Sequence, residues 1–166
     1  MTFVIATCLI ILFGAVAFRG APYVPTHRKT IKVAFDMLPL EKGDLVLDLG
    51  SGDGSVLMHA ARLGYRAVGY ELNPVLSFIA WLRCWRDHLH VRIHTADFWI
   101  STWPPDSKAV FIFLAGPYMN KFKRKLDAEM QKRSEPLYVI SNGFTIPGAL
   151  PKRVSNGLYL YEFKPR

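Results

Sequence analysis

The sequence predicts an α/β domain with a mainly parallel sheet and an antiparallel hairpin at its C-terminal end. Strand-like apolar segments alternate with helical patterns along most of the chain, as in parallel α/β proteins. The segment 109–115 is apolar throughout, which is typical of a central strand covered on both faces. Asn156-Gly157 separates two strand-like segments near the C-terminus, which indicates a hairpin. The length of 166 residues fits one domain with one core.

The first predicted helix follows Thr26, which is a suitable N-cap. Apolar residues recur at helical spacing between Ile31 and Leu38, and Pro39 ends the pattern. We therefore expect the helix to begin directly after Thr26.

The following elements alternate between strands and helices. Strands are predicted at 44–49, 66–72, 90–95, 109–115 and 137–141. Helices are predicted at 55–63, 74–86 and 117–132. Gly64 is placed to end the helix at 55–63. Asn73 is placed to cap the helix at 74–86, which Pro74 opens, and Pro117 opens the helix at 117–132. The strand at 90–95 alternates apolar with polar residues, which favours a place near an edge of the sheet.

The segment Thr2–Phe18 carries no charge. As a helix it would span roughly 26 Å at about 1.5 Å per residue, just short of the ~30 Å hydrocarbon core of a bilayer. Residues 15–17 resemble a signal-peptide cleavage site, but no Lys or Arg precedes the segment, and a buried helix is a third interpretation. We predict a membrane anchor over residues 1–20 and a domain over 21–166. Basic residues after the segment, beginning with Arg19, place that domain on the cytoplasmic side.

Composition excludes global disorder, since 51% of residues are hydrophobic and 20% charged. The formal net charge of +8 favours an anionic partner, which could be nucleic acid, an anionic membrane surface or an acidic protein. Two cysteines argue against a disulfide framework. The basic amphipathic segment 120–133 is either a solvated helix or a surface for anionic lipid or a partner.

A glycine-rich turn follows the first predicted strand, with the sequence Asp-Leu-Gly-Ser-Gly-Asp-Gly at 48–54. A dinucleotide fingerprint needs glycine where Ser55 stands, and no Gly-Lys-Ser/Thr follows to make a P-loop. Asp48 and Asp53 would repel a pyrophosphate but attract a cationic ligand. Asp53 has a second interpretation, because an acid there also favours the N-terminus of the next helix.

Two further acids stand at the ends of the next strands. Glu71 can accept hydrogen bonds from both hydroxyls of a ribose, and Asp97 can accept one from the exocyclic amine of adenine. The ligand inferred is adenosine-like, lacks phosphate and is cationic or zwitterionic. S-adenosylmethionine meets these requirements.

The glycine turn with Glu71 and Asp97 resembles the class I S-adenosylmethionine-dependent methyltransferases over about residues 22–163. With the apolar N-terminal segment, "PYVPT" (22–26), "GYELNP" (69–74) and "GLYLYEF" (157–163) resemble the membrane-associated protein-lysine methyltransferases of the ATP synthase c-subunit and the ADP/ATP translocase, and their prokaryotic relatives. The resemblance implies a Rossmann-like methyltransferase fold.

Carried over by position, the resemblance implies a cofactor site with four parts. The methionine part would contact the glycine turn, and the ribose would contact Glu71 and its neighbours. The adenine would contact the segment after the third strand. The segment before the first helix would cover the cofactor. The residues are Asp48, Gly50, Ser51, Gly52, Asp53, Gly54, Glu71, Leu72, Asn73, Asp97, Phe98, Tyr23, Pro25 and Thr26. Amino-methylating relatives often carry Asn/Asp-Pro-Pro-Tyr/Phe after strand four, whereas this chain has Ala115-Gly116-Pro117-Tyr118. The group that holds the substrate amine, and any catalytic base, therefore stay unassigned.

The resemblance implies a protein-lysine N-methyltransferase that acts on a membrane protein, at a lysine close to the bilayer surface. Its location would be the cytoplasmic face of a membrane, or the mitochondrial inner membrane in a eukaryote. A methyltransferase for RNA or a small molecule, and a non-catalytic scaffold, are the alternatives, with nucleic acid the less favoured partner. No metal is expected, because the histidines at 88, 90 and 94 lack ligands at suitable spacing.

Overall fold

The computed structural model describes residues 23–87 and 90–165. The predicted anchor at 1–20 lies outside the described residues. The helices are α1 (Arg28–Met37), α2 (Ser55–Arg62), α3 (Pro74–Cys84) and α4 (Met119–Met130). The strands are β1 (Leu45–Leu49), β2 (Arg66–Glu71), β3 (Val91–Thr95), β4 (Ser107–Ile112), β5 (Leu137–Asn142), β6 (Arg153–Ser155) and β7 (Leu158–Phe163). Short 3₁₀ turns follow α3 and precede α4, at Trp85–Asp87 and Gly116–Tyr118.

The strands form one seven-stranded sheet in the order β3-β2-β1-β4-β5-β7-β6. Strands β1 to β5 are parallel to one another, while β7 pairs antiparallel with both β5 and β6. The predicted mainly parallel sheet with a C-terminal antiparallel hairpin is therefore confirmed. So are the central place of β4 and the edge position of β3.

Helices cover both faces of the sheet, and two apolar clusters hold them there. On one face, α1, α2 and α3 pack through side chains such as Ile31, Leu57 and Cys84 against the sheet. On the other face, α4 packs through Phe122 and Leu126. The segment between β3 and β4 completes that second layer with the buried Trp103 side chain, so each face has its own core.

Several local signals act as predicted. The Asn73 side chain caps α3, because its Oδ1 accepts a hydrogen bond from the Val75 amide at 2.9 Å. Gly64 follows α2 with a φ of +88°, a conformation that glycine adopts without steric cost. In the β6–β7 turn, Asn156 and Gly157 have φ values of +50° and +76°, as a tight hairpin with two positive φ angles requires.

Several predicted boundaries are wrong by one to a few residues, and three of them bear on the site. Helix α1 begins at Arg28 with His27 at the N-cap position, where no side chain makes a capping hydrogen bond, so Thr26 is not the cap. Strand β4 ends at Ile112 rather than 115, and a 3₁₀ turn delays α4 to Met119. Proline fixes only its own φ, so Pro117 is equally compatible with that tighter turn.

None of the helices within residues 23–87 and 90–165 has the length and apolar character needed to cross a bilayer.

Candidate cofactor-binding and active site

A cavity of about 650 Å³ lies at the carboxyl ends of the parallel strands, where ligands usually bind in open α/β sheets. Its walls come from the ends of β1, β2 and β4, from the segment before α1, and from the loops after β3 and β5. The lining residues are Tyr23, Val24, Pro25, Thr26, Asp48, Leu49, Gly50, Ser51, Gly52, Asp53, Ser55, Val56, Glu71, Leu72, Asn73, Leu76, Asp97, Phe98, Trp99, Phe111, Phe113, Leu114, Ala115, Tyr118 and Phe144.

The glycine turn forms the floor of this cavity. The Gly50 and Ser51 amides both donate to the carbonyl oxygen of Tyr70, at 2.8 and 3.0 Å, which ties the turn to β2. Gly52 has a φ of +51°, and a Cβ atom there would lie 2.7 Å from the Tyr23 ring. Glycine at 52 therefore lets the ring of Tyr23 lie directly over the turn.

Glu71 joins the turn to the end of β2. Its Oε2 accepts a hydrogen bond from the Gly52 amide and its Oε1 accepts one from the Asn73 amide, both at 2.8 Å. Each carboxylate oxygen has a second lone pair, so the side chain can still accept from a ligand. The two amides fix its orientation toward the cavity.

Asp48 lies at the same edge of the sheet and is 4% exposed. Burial, and to a smaller extent the charge of Glu71, raise the pKa of Asp48 to about 8. Two acids in one cavity repel each other, and a cationic ligand would relieve that repulsion. The electrostatics of this end therefore favour a cation over a phosphate.

Asp53 and Asp97 also line the cavity, and each accepts a hydrogen bond from a backbone amide two residues further along the chain. Asp53 accepts from the Ser55 amide at 3.1 Å and pairs with the Arg83 guanidinium, which supports the interpretation that it stabilises the start of α2. Asp97 accepts from the Trp99 amide at 2.9 Å, which orients its carboxylate after β3.

All of the site residues predicted from the sequence line the cavity except Gly54. A Cβ atom at Gly54 would lie 3.0 Å from the Cβ atom of Ala80 and 3.2 Å from the Cys84 sulfur. Glycine at 54 thus permits close packing of the turn against α3. Its role is to support the fold of the turn, and it does not line the cavity.

An aromatic end of the cavity was not predicted. Phe113, Tyr118 and Phe144 follow β4 and β5 and line this end, whereas Trp99 lies beside Asp97 at the acidic end. Phe144 approaches within 3.3 Å of the position that a Cβ atom of Gly116 would take. Phe144 follows the last parallel strand, so its place at the carboxyl edge could have been found from the sequence.

The residues present fit S-adenosylmethionine. The cradle offers acids at the ends of β1 and β2, an acid after β3, and a tyrosine ring above the turn. The buried Ser51 hydroxyl has no hydrogen-bond partner within the described chain, which leaves a polar atom for a ligand beside the acids. Among residues 23–87 and 90–165, no group of three His, Cys, Asp or Glu side chains could hold a metal ion.

Comparison with known proteins gives a consistent result. The family model of the ANTKMT methyltransferase domain matches residues 48–153. The chain is 36% identical over 135 residues to the Xenopus laevis lysine N-methyltransferase of the ATP synthase c-subunit, covering 80% of this chain and 58% of that protein. It is 34% identical over 136 residues to adenine nucleotide translocase lysine N-methyltransferase of Mus musculus, covering 80% and 57%. The chain thus spans little more than half the length of these relatives.

A solved RNA methyltransferase from Salinibacter ruber, in complex with S-adenosyl-L-homocysteine, has the same fold. It superposes with a TM-score of 0.74 at 23% identity, covering 86% of this chain and 94% of that one. The sheet order, the cavity and the matches together confirm the resemblance predicted from the sequence, with S-adenosylmethionine as the cofactor, and the chain belongs to the ANTKMT methyltransferase domain family.

Proposed function

We propose that the protein is a protein-lysine N-methyltransferase whose acceptor is a lysine of a membrane protein, close to the bilayer surface. The observation that carries this proposal is the cavity itself, which runs from an acidic end to an aromatic end. The first fits the cofactor and the second fits the aliphatic stem of a lysine. The two relatives above are named for lysines of membrane proteins, which supports the choice of acceptor.

The acidic end holds the cofactor. When bound, S-adenosylmethionine supplies a methyl group already activated on a sulfonium. Glu71 would accept from the ribose, Asp97 from the adenine, and Asp48 would lie by the cationic methionine part. Tyr23 would cover the cofactor from above the glycine turn. What the chain contributes is alignment, since it fixes one reactant and excludes water.

The aromatic end would favour the neutral form of the substrate amine. A lysine has an ordinary pKa of about 10.4 and must lose its proton before it can accept a methyl group. Phe113 and Phe144 provide apolar surroundings that disfavour the ammonium form and lower that pKa. The Ala115 carbonyl, which accepts from the Tyr118 amide at 2.9 Å, has a second lone pair that can orient the amine.

The location follows from the same proposal. The uncharged segment Thr2–Phe18 would anchor the chain, with the catalytic domain on the cytoplasmic side or, in a eukaryote, at the mitochondrial inner membrane. An anchored domain samples its membrane neighbours at a high effective concentration, so its acceptors are membrane proteins. The basic surface adds attraction to anionic lipid.

The test is mass spectrometry of membrane proteins from cells with and without the gene, and from cells carrying Glu71→Ala. We expect one lysine near the bilayer surface to lose methylation in both the deletion and the variant. A matched control is Glu135→Ala, because Glu135 precedes the start of β5, away from the carboxyl ends of the strands where the cavity lies, and pairs on the surface with Lys108. Methylation found on RNA or a soluble metabolite, with every membrane lysine unchanged, would contradict the proposal.

A further inference from the structure

Helix α3 is apolar on both sides. Its inner side is buried through Leu76, Ala80 and Cys84. Its outer side exposes Phe78 by 60%, Trp81 by 54% and Leu82 by 52%, with Ile79 exposed by 39% beside them. A helix that is hydrophobic all round is normally covered on every side. The outer side of α3 therefore has the composition of a contact surface.

The exposed side chains are organised rather than scattered. Residues 78, 81, 82 and 85 recur at the spacing of one helix face. The Phe78 and Trp81 rings stack with centroids 5.9 Å apart, and the Trp81 and Trp85 rings stack at 6.4 Å. Isolated exposed apolar residues are ordinary on soluble proteins, whereas a contiguous group marks an interaction site. We call Phe78, Ile79, Trp81 and Leu82 the apolar face of α3.

Helix α3, which carries the apolar face, lies beside the cavity and beside the start of the described chain. Leu76, one turn along α3, lines the cavity. The Arg83 guanidinium pairs with Asp53 in the glycine turn. Tyr23 lies over the same turn and comes shortly after the uncharged segment Thr2–Phe18. Helix α3, the cavity and Tyr23, the first described residue, are thus close together.

We propose that the apolar face of α3 inserts into the interface of an anionic lipid bilayer, so that the cavity opens beside the membrane. Tryptophan favours the headgroup region of a bilayer, because its apolar ring can contact the acyl chains while its N–H group donates a hydrogen bond to water or headgroups. Phenylalanine and leucine beside it supply buried apolar area, as in interfacial helices. Arg86 just after the helix and the net charge of +8 complement anionic headgroups. The inference rests on the membrane location in the proposed function.

The experiment uses the full chain in vesicles of phosphatidylcholine and phosphatidylglycerol, with bromine on the acyl chains to quench nearby tryptophans. We expect bromolipid to quench the wild type, and Trp81→Phe to remove a large part of the quenched signal. Trp103→Phe is the matched control, because Trp103 is 2% exposed and packs in the core on the other face of the sheet. Its replacement should leave the quenched signal unchanged.

Two outcomes would overturn the inference. If aqueous iodide quenches Trp81 in vesicles and bromolipid does not, the apolar face is in water. If neither iodide nor bromolipid quenches Trp81, protein covers the apolar face of α3. The face is then a binding site for residues 1–22 or for a second copy of this chain. The readout needs no methyl transfer, so bromolipid quenching without any methylated membrane lysine would refute the proposed function and leave this inference standing.

A functional arm uses Phe78→Gln, Trp81→Gln and Leu82→Gln together, none of which lines the cavity. We expect S-adenosylhomocysteine affinity to stay at the wild-type value while methylation of the membrane acceptor falls about tenfold, as the loss of correct placement predicts. Leu150→Gln is the control, since Leu150 is 95% exposed in the connection before β6. Equal methylation by the triple variant and this control would overturn the inference.

Discussion

Two acids with nearly equal burial have opposite electrostatic surroundings. Asp48 at the floor of the cavity is 4% exposed, and Glu129 on α4 is 3% exposed. The pKa of Asp48 is raised to about 8 by burial and by the charge of Glu71. Burial acts to raise the pKa of Glu129 as well, but hydrogen bonds from Lys125 and Lys132 outweigh it and lower the pKa.

The partners explain the difference. Glu129 Oε1 accepts from the Lys125 ammonium at 2.8 Å and from the Lys132 ammonium at 3.2 Å. Lys125 also donates to the Ser101 carbonyl at 2.7 Å, so the cluster fastens α4 to the segment after β3. Asp48 has instead another acid as its charged neighbour. A buried acid with two cations holds the fold together, whereas a buried acid beside another acid is prepared for a cationic ligand.

Removing the paired acid should have the largest effect on stability. Glu129→Ala leaves the largely buried Lys125 ammonium without its acid, and we expect it to lower the free energy of unfolding by about 3 kcal/mol. Urea denaturation measures this loss. Asp127→Ala is the matched control, because its pair with Lys123 is on the surface and is worth less than about 1 kcal/mol. Equal losses in the two variants would mean that burial does not distinguish these pairs.

Removing the unpaired acid should act on binding instead. Asp48→Asn keeps the shape of the side chain but removes its charge, and we expect S-adenosylmethionine to bind more weakly by about 1–3 kcal/mol. Titration calorimetry gives this difference. The comparison would fail if the variant bound the cofactor as tightly as the wild type, or if Glu129→Gln weakened binding by a similar amount while remaining folded.

The two acids should also give opposite pH dependences. For Asp48 the unfolded chain loses its proton near its ordinary pKa of 3.8 and the folded chain near 8, so ionisation makes folding less favourable as pH rises between those values. Asp48→Asn should therefore be more stable than the wild type by a margin that grows from about pH 4 to about pH 8. Glu129 adds stability above its ordinary pKa and loses it as pH falls through the lowered folded value.

Thermal unfolding of wild type, Asp48→Asn and Glu129→Gln, from strongly acidic pH up to about pH 8, measures both dependences, because the Glu129 window lies below its ordinary pKa of 4.5. A constant difference between Asp48→Asn and wild type at every pH would show that Asp48 has an ordinary pKa. Calorimetry at the same pH values adds a second check. Because a cationic cofactor prefers the ionised acid, its affinity for the wild type should rise up to about pH 8 and then level off.

The smallest effect is expected on the outer surface of α4. Arg124 is exposed, and Arg124→Gln should change the free energy of unfolding by less than about 0.5 kcal/mol. Lys125→Gln should cost more, since Lys125 is bonded to Glu129 and Ser101. Equal free energies of unfolding for these two variants in urea denaturation would show that the position of a basic residue on α4 does not affect stability.

The acidic end of the cavity could be predicted from the sequence because it follows from topology. The carboxyl ends of parallel strands meet at one edge, so Asp48, Glu71 and Asp97 had to converge once the strands were identified. The aromatic end was missed for a different reason, since the predicted strand 109–115 placed Phe113 within the sheet, whereas β4 ends at Ile112 and leaves Phe113 at the carboxyl edge with Phe144. The cap at Thr26 was wrong because the helix starts two residues later, at Arg28.

The basic helix shows a second limit of sequence reasoning. Lys123–Asp127 and Lys125–Glu129 have the i, i+4 spacing of helix pairs, so these ion pairs could have been predicted from the sequence, although they were not. The burial of Glu129 could not have been predicted, because it depends on how α4 lies over the sheet. Several lysines of the basic segment 120–133 therefore make contacts within the protein, and the Lys121 ammonium lies 4.2 Å from the centre of the Trp99 ring.

The strand order also has a consequence for aggregation. A sheet edge offers unpaired backbone groups to other chains, and natural proteins protect such edges with charge, short strands and proline. One edge of this sheet is β3, with Arg92 and His94 exposed along it. The other is β6, only three residues long and preceded by Pro151 and Lys152. Both edges discourage strand addition, which would help the domain remain dispersed at high local concentration on a crowded surface.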